Sequence, residues 1–152
     1  MFLFLVLLCT AVFPDELYYS AALEWGLALQ AGFEYRGSGF TGVKADLGLS
    51  LFGLLVCDFF TVIYLLPRDN PFRLNLLAGI PTAAVPLSFN AAMVSFGGSV
   101  VLGYNLSDYL SLDLRLGAGF PLFFEKDKEM IRDIGFPLEL WPDAVISLNF
   151  KQ

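Results

Sequence analysis

Ten ionisable side chains of this 152-residue chain stand on the polar side of segments in which apolar and polar residues alternate: Glu24, Glu34, Arg36, Lys44, Asp46, Arg73, Asp113, Arg115, Glu139 and Asp143. Alternation with period two places such residues on one face of a sheet. Six acids and four bases sharing one face can neutralise one another, line a polar path, or hold a polar ligand. Catalysis is a poorer fit. The chain has no histidine, which removes Ser-His-Asp and Cys-His nucleophiles, His-containing zinc sites and His proton relays. A glycosidase pair needs two carboxylates converging in an open cleft, and no feature of the sequence builds one. The expectation is a protein that is not an enzyme and carries no metal or cofactor.

The segments that position these charges are strand-like. From Leu17 to Tyr35 every odd position is apolar, and the even positions are mostly small or polar. Soluble strands usually run about 5–6 residues, so residues 17–36 read as one very long strand. A glycine turn at 37–39 comes next. Thr41, Val43, Ala45, Leu47, Leu49 and Leu51 then alternate with Gly42, Lys44, Asp46, Gly48 and Ser50. Residues 54–66 are apolar at both parities; the reading places a turn near Cys57-Asp58 and a strand over 59–66. Pro67 to Pro71 turns the chain again. Further strands are expected over 72–80, 82–91, 96–106, 109–122 and 144–150, and the Glu- and Lys-rich residues 124–135 read as the longest loop. The count is eight.

Composition decides the surroundings of each face. The chain is 57% hydrophobic and 16% charged, against about 45–50% apolar and 25% charged in soluble domains. The charges belong to the inferred inner face and the large apolar residues to the outer one. A soluble ligand-binding barrel would show the reverse. The fold expected is therefore all-β: an antiparallel up-and-down transmembrane β-barrel of eight strands, with membrane lipid around it. Aromatic residues fall into two groups, Tyr18, Tyr19, Tyr104, Tyr109 and Phe150 at one rim and Phe33, Tyr35, Phe120 and Phe123 at the other, as interfacial girdles require. Trp25 is the exception, placed mid-strand on the lipid face.

Residues 2–13 form an apolar run of signal-peptide length, too short to span a bilayer as a helix. The expected division is a signal peptide over 1–13, cleaved near Ala11, and a barrel over 14–152. Cys57 would then be the remaining cysteine, a small packing residue. The net charge is −6 and no basic cluster occurs, so nucleic acid is not an expected partner.

The last strand, Ala144-Val145-Ile146-Ser147-Leu148-Asn149-Phe150, alternates and ends in Phe, followed here by Lys151-Gln152. With the short turns, it makes the chain resemble the small eight-stranded outer-membrane barrels of OmpA, OmpX and OmpW type. That resemblance implies a bacterial outer-membrane address and engagement of the barrel-assembly machinery through the strand ending at Phe150.

An eight-stranded interior holds side chains or one small ligand. The inner charges leave two functions open. One is a narrow channel for uptake of small or apolar solutes, for which the inward glycines (Gly26, Gly32, Gly42, Gly48, Gly103, Gly117 and Gly119) would leave a cavity. The other is a structural or surface-interaction barrel plugged by salt bridges, in which glycines merely relieve crowding. Arg115 is expected to lie roughly opposite Asp143 across the last hairpin, and Lys44 diagonal to Glu34 across the first. A third reading is a polytopic α-helical membrane protein, because 47–66 is a 20-residue window with Asp58 as its one charge. Gly37 to Gly42 also fits G-x-G-x-x-G, yet that motif needs a strand-to-helix turn and both flanks here alternate as strands.

Overall fold

The computed structural model describes residues 16–24, 28–37, 39–67, 69–87, 91–125, 128–131 and 140–152. Nine strands account for most of them: β1 (Glu16–Glu24), β2 (Ala28–Arg36), β3 (Thr41–Ser50), β4 (Leu54–Tyr64), β5 (Phe72–Pro86), β6 (Ala91–Ser107), β7 (Leu110–Glu125), the short β8 (Lys128–Ile131) and β9 (Trp141–Lys151). Each strand from β1 to β7 pairs antiparallel with the next, β7 pairs with β9, and β9 returns to β1. Eight strands thus close into a barrel, and β8 folds back on the upper part of β7 outside the ring. No helix occurs among the described residues, and the 47–66 window is a strand, a turn and a strand. The helical reading is overturned.

Two strand assignments differ from the sequence reading, and they compensate in the count. Residues 17–36 are a hairpin: Glu24 pairs with Ala28 and Glu16 with Arg36. An antiparallel register in which even residues face even residues carries the parity unchanged through the connection. The alternation therefore runs on across a chain reversal. Conversely, the two strands expected over 72–80 and 82–91 are one strand, β5, with an irregularity. Between the pairs Phe59–Ile80 and Cys57–Ala83, β4 has one residue and β5 has two. Pro81, which has no N–H to give to a ladder, occupies this bulge. The extra residue switches the inward parity from Arg73, Asn75 and Leu77 to Thr82 and Ala84, all buried.

The turn placed near Cys57-Asp58 lies instead at Leu51–Gly53. There Ser50 Oγ accepts the N–H groups of Phe52 and Leu54 at 3.2 and 3.1 Å, and Gly53 has φ 71°, a left-handed conformation that glycine takes without penalty. Residues 124 and 125 continue β7, and 128–131 form β8, in place of the start of the expected loop. The hairpin β1–β2 also moves Phe33 and Tyr35 to the rim that holds Glu16 and Gln152, beside Tyr19 and Leu17. The assignments for the signal peptide, Trp25, Gly26 and Glu139 fall outside the described residues.

The barrel is apolar outside and polar inside. Leu29, Leu47, Phe72, Phe96, Leu116 and Ile146 are exposed on the outer wall, whereas Asp46, Asp58, Asp113, Arg115, Asp143 and Asn149 are each no more than 3% exposed. Cys57 is exposed on the outer wall, opposite Leu47 and Ala83, so it is not a core packing residue. In water this distribution would be costly on both faces. It is stable where hydrocarbon solvates the exterior.

Candidate functional site

The candidate site is the lumen. It has one apolar wall, where Phe60, Val62 and Tyr64 of β4 pack with Leu77 of β5 and Val101 of β6. Polar groups from these strands and from the rest of the ring cross the interior in two tiers.

The middle tier centres on Arg115 of β7. Its Nη2 meets Asp58 Oδ2 at 2.5 Å, its Nε meets Asp143 Oδ2 at 2.9 Å, and Nη1 lies 3.6 Å from Asp46 Oδ2. Asp46 and Asp58 are direct cross-strand neighbours on β3 and β4, an arrangement that repels when nothing intervenes. The guanidinium between them removes the repulsion. Asp46 also pairs with Lys44 Nζ at 3.5 Å and accepts the Ser20 hydroxyl at 2.7 Å. Asp58 accepts from Gln30 Nε2 at 3.1 Å, and Asp143 accepts from Ser99 Oγ at 2.7 Å. Glu24, half-buried, accepts from Gln30 and from Thr82 at 3.2 and 3.3 Å. The Arg115 guanidinium carbon lies over the Phe60 ring, 4.8 Å from its centre, which seats the cation against the apolar wall.

The second tier lies nearer the rim with Glu16 and Gln152. Arg73 of β5 reaches Glu34 of β2 at 2.7 Å, Ser111 of β7 at 2.7 Å and Asp113 of β7 at 3.3 Å. Tyr64 donates to the same Glu34 oxygen at 3.0 Å. Arg36 lies over the Tyr64 ring at 4.0 Å, and Arg73 lies 5.2 Å from the ring centre of Tyr18.

Nine of the ten ionisable residues named from the sequence have described positions, and all nine belong to this interior. Arg115 and Asp143 are in contact, on a diagonal of the β7–β9 pair in which Arg115 sits opposite Val145. Lys44 is the direct register partner of Glu34, yet its ion pair is with Asp46. The sequence reading missed Asp58, which is fully buried and makes the shortest contact to Arg115. The misplaced turn hid it; counting even residues inward from Asp46 through Ser50 and on through Val56 would have found it. The inward glycines leave no chamber at the two charge tiers. A Cβ on Gly32 would meet the Asp46 carboxylate and the Ala45 carbonyl, and one on Gly103 would meet the Asp113 carboxylate and, at 3.1 Å, Arg73 Cβ. The space that glycine vacates is filled by acidic side chains.

No family model matches the chain, and no curated protein matches it. Among solved structures it is similar to the de novo designed TMB2.3, determined by solution NMR. The TM-score is 0.57 at 15% identity, over 91% of this chain and 95% of that one. At that identity the likeness is one of fold. It supports the closed eight-stranded antiparallel barrel derived above.

Proposed function

We propose that this protein is an integral outer-membrane β-barrel whose lumen is closed by its own charges, acting as a structural or surface-interaction barrel and not as an enzyme. The observation that carries the closed lumen is the reach of Arg115. In the ring β1-β2-β3-β4-β5-β6-β7-β9, β7 and β3 are diametrically opposite, and Arg115 on one stands 3.6 Å from Asp46 on the other. A second bar, from Arg73 on β5 to Glu34 on β2 and Asp113 on β7, crosses closer to the rim. An ion entering would have to separate buried pairs, each of which costs several kcal/mol to break.

The membrane address is supported by the apolar exterior and the even strand number of bacterial barrels. The outer-membrane assignment rests further on the resemblance to OmpA-, OmpX- and OmpW-type barrels. The last strand, β9, closes the ring by pairing Phe150 with Tyr19 and Lys151 with Tyr18, which suits a terminal strand handed over by the assembly machinery. Planar-bilayer recording of the refolded chain tests the reading. Wild-type protein is expected to give no sustained ion conductance. Stable channel openings would overturn the closed lumen and restore the uptake channel for small solutes.

A further inference from the structure

The described cations of the lumen are matched to carboxylates except Arg36, at the rim with Glu16 and Gln152. Among the described residues Lys44, Arg73, Arg115 and Lys151 each form an ion pair, and Arg36 forms none. Arg36 is nonetheless only 8% exposed. Its guanidinium is stacked on Tyr64, and its Nε, buried, has no acceptor. The acids around it are engaged elsewhere. Glu16, its register partner on β1, is held by Lys151 Nζ at 2.5 Å and by the Tyr18 hydroxyl at 2.9 Å. Glu34 is held by Arg73 and Tyr64, and Asp113 by Arg73.

A second unsatisfied donor belongs to a residue nearby. Asn75 of β5 is 3% exposed and its Nδ2 has no acceptor. Arg36 and Asn75 line one recess together with Tyr18, Asn70, Arg73 and Asn105. Its wall is held by the Asn105 amide donating to the Asn70 carbonyl at 3.1 Å and by Asn70 Oδ1 accepting the Phe72 N–H at 2.8 Å. The free volume is about 20 Å³, room for one water-sized atom.

We propose that this recess is a subsite for a single oxygen of a carboxylate or phosphate group, received by Arg36 and Asn75. Arginine has donors and no acceptor, and Asn Nδ2 is likewise a donor, so the two unsatisfied groups select an acceptor. A charged acceptor is favoured because it balances a cation that otherwise lacks a counter-charge. The volume admits one oxygen and leaves the rest of the ligand outside the rim. Two sources present this chemistry there: a free anion from the aqueous side, or the headgroup of an anionic lipid at the membrane surface. The inference goes beyond the closed-lumen proposal and holds whether or not the barrel conducts.

The test is side-chain NMR of the ¹⁵N-labelled full chain in uncharged micelles, reading Arg36 Nε–H and the Asn75 amide. One arm adds inorganic phosphate or acetate, with sodium chloride keeping ionic strength constant. The other arm dopes the micelles with a short-chain phosphatidic acid. A saturable shift of both signals in the first arm assigns a free anion, and a shift in the second arm alone assigns a headgroup. Signals that stay still in both arms overturn the proposal and leave a hydrated recess. Binding is expected to weaken at least about 10-fold in Arg36→Gln, and also in Asn75→Ala, which keeps every ion pair intact. Unchanged binding in Asn75→Ala would overturn the site even if Arg36→Gln failed to fold.

Discussion

Replacing Arg115 with methionine keeps a long side chain in the lumen and removes the cation that three carboxylates share. The consequences for the three differ. Asp46 retains Lys44 at 3.5 Å and the Ser20 hydroxyl. Among the described residues Asp58 and Asp143 lose their sole cation, keeping only Gln30 and Ser99 as donors. Breaking a buried pair from one side costs about 3–5 kcal/mol, because the charge left behind is uncompensated. With two carboxylates stranded, the upper part of that range is expected. The companion variant carries Arg115→Met with Asp58→Asn and Asp143→Asn. It removes Arg115 together with the two carboxylates it would strand and leaves Asp46 with Lys44, and replacing buried ions by neutral groups is often neutral or stabilising; it should return to within about 1–2 kcal/mol of wild type. Urea unfolding in micelles, followed by the heat-dependent gel mobility of the folded barrel, measures both. If Arg115→Met cost less than about 1 kcal/mol, the carboxylates would be hydrated and the lumen open to water. Arg115 would then not bridge the barrel.

Gly32→Ala would drive a methyl group into the Asp46 carboxylate and the Ala45 carbonyl, and overpacking of this kind costs about 1–3 kcal/mol; the same unfolding assay should show it. Leu47→Arg places a cation on the outer wall opposite Ala31 and Cys57. It should cost about 2–4 kcal/mol in lipid if this point lies near the midplane, and a near-zero cost would remove the membrane reading of that wall. Cys57, exposed on the same wall, should react with a membrane-impermeant maleimide after denaturation and resist it in vesicles, tested with Cys9→Ser present so that one thiol reports. Rapid labelling of the folded protein in vesicles would place β4 against water.

The class of fold was legible because barrel walls enforce one rule over the whole chain: inward and outward residues alternate on every strand. The nine charged side chains named from the sequence that have described positions lie inside, where that rule puts them, even though several strand ends differ. The hairpin β1–β2 shows why both can happen together. Glu24 pairs with Ala28, so the even register persists through the reversal and parity alone gives no sign of the turn. The bulge at Pro81 has the opposite effect. One extra residue inverts the parity within a single strand, and periodicity alone divides it in two. Ser50 and Gly53 do mark the β3–β4 turn chemically, but they lie in a stretch where apolar residues crowd both parities, and the acidic Asp58 stands out there as the polar break.

The partners within the lumen were less legible than the faces, and the reason is geometric. Neighbouring-strand contacts depend on register, which the sequence pattern constrains. Contacts between strands that are not adjacent depend on how far the strands tilt as the ring closes, because tilt sets which residues share a level. Arg115 and Asp143 sit on adjacent strands and could be paired by inspection. Arg115 and Asp46 are separated by four steps around the ring, and Arg73 and Glu34 by three. These long pairings are the ones that cross the interior. The interactions on which closure depends are therefore those that local sequence pattern encodes least. A change in strand tilt, with every residue and every hairpin register kept, would exchange these partners. Cross-lumen double-mutant cycles on Arg73 and Glu34 should accordingly give coupling above about 1 kcal/mol, and absence of coupling would mean that the strands close at a different tilt.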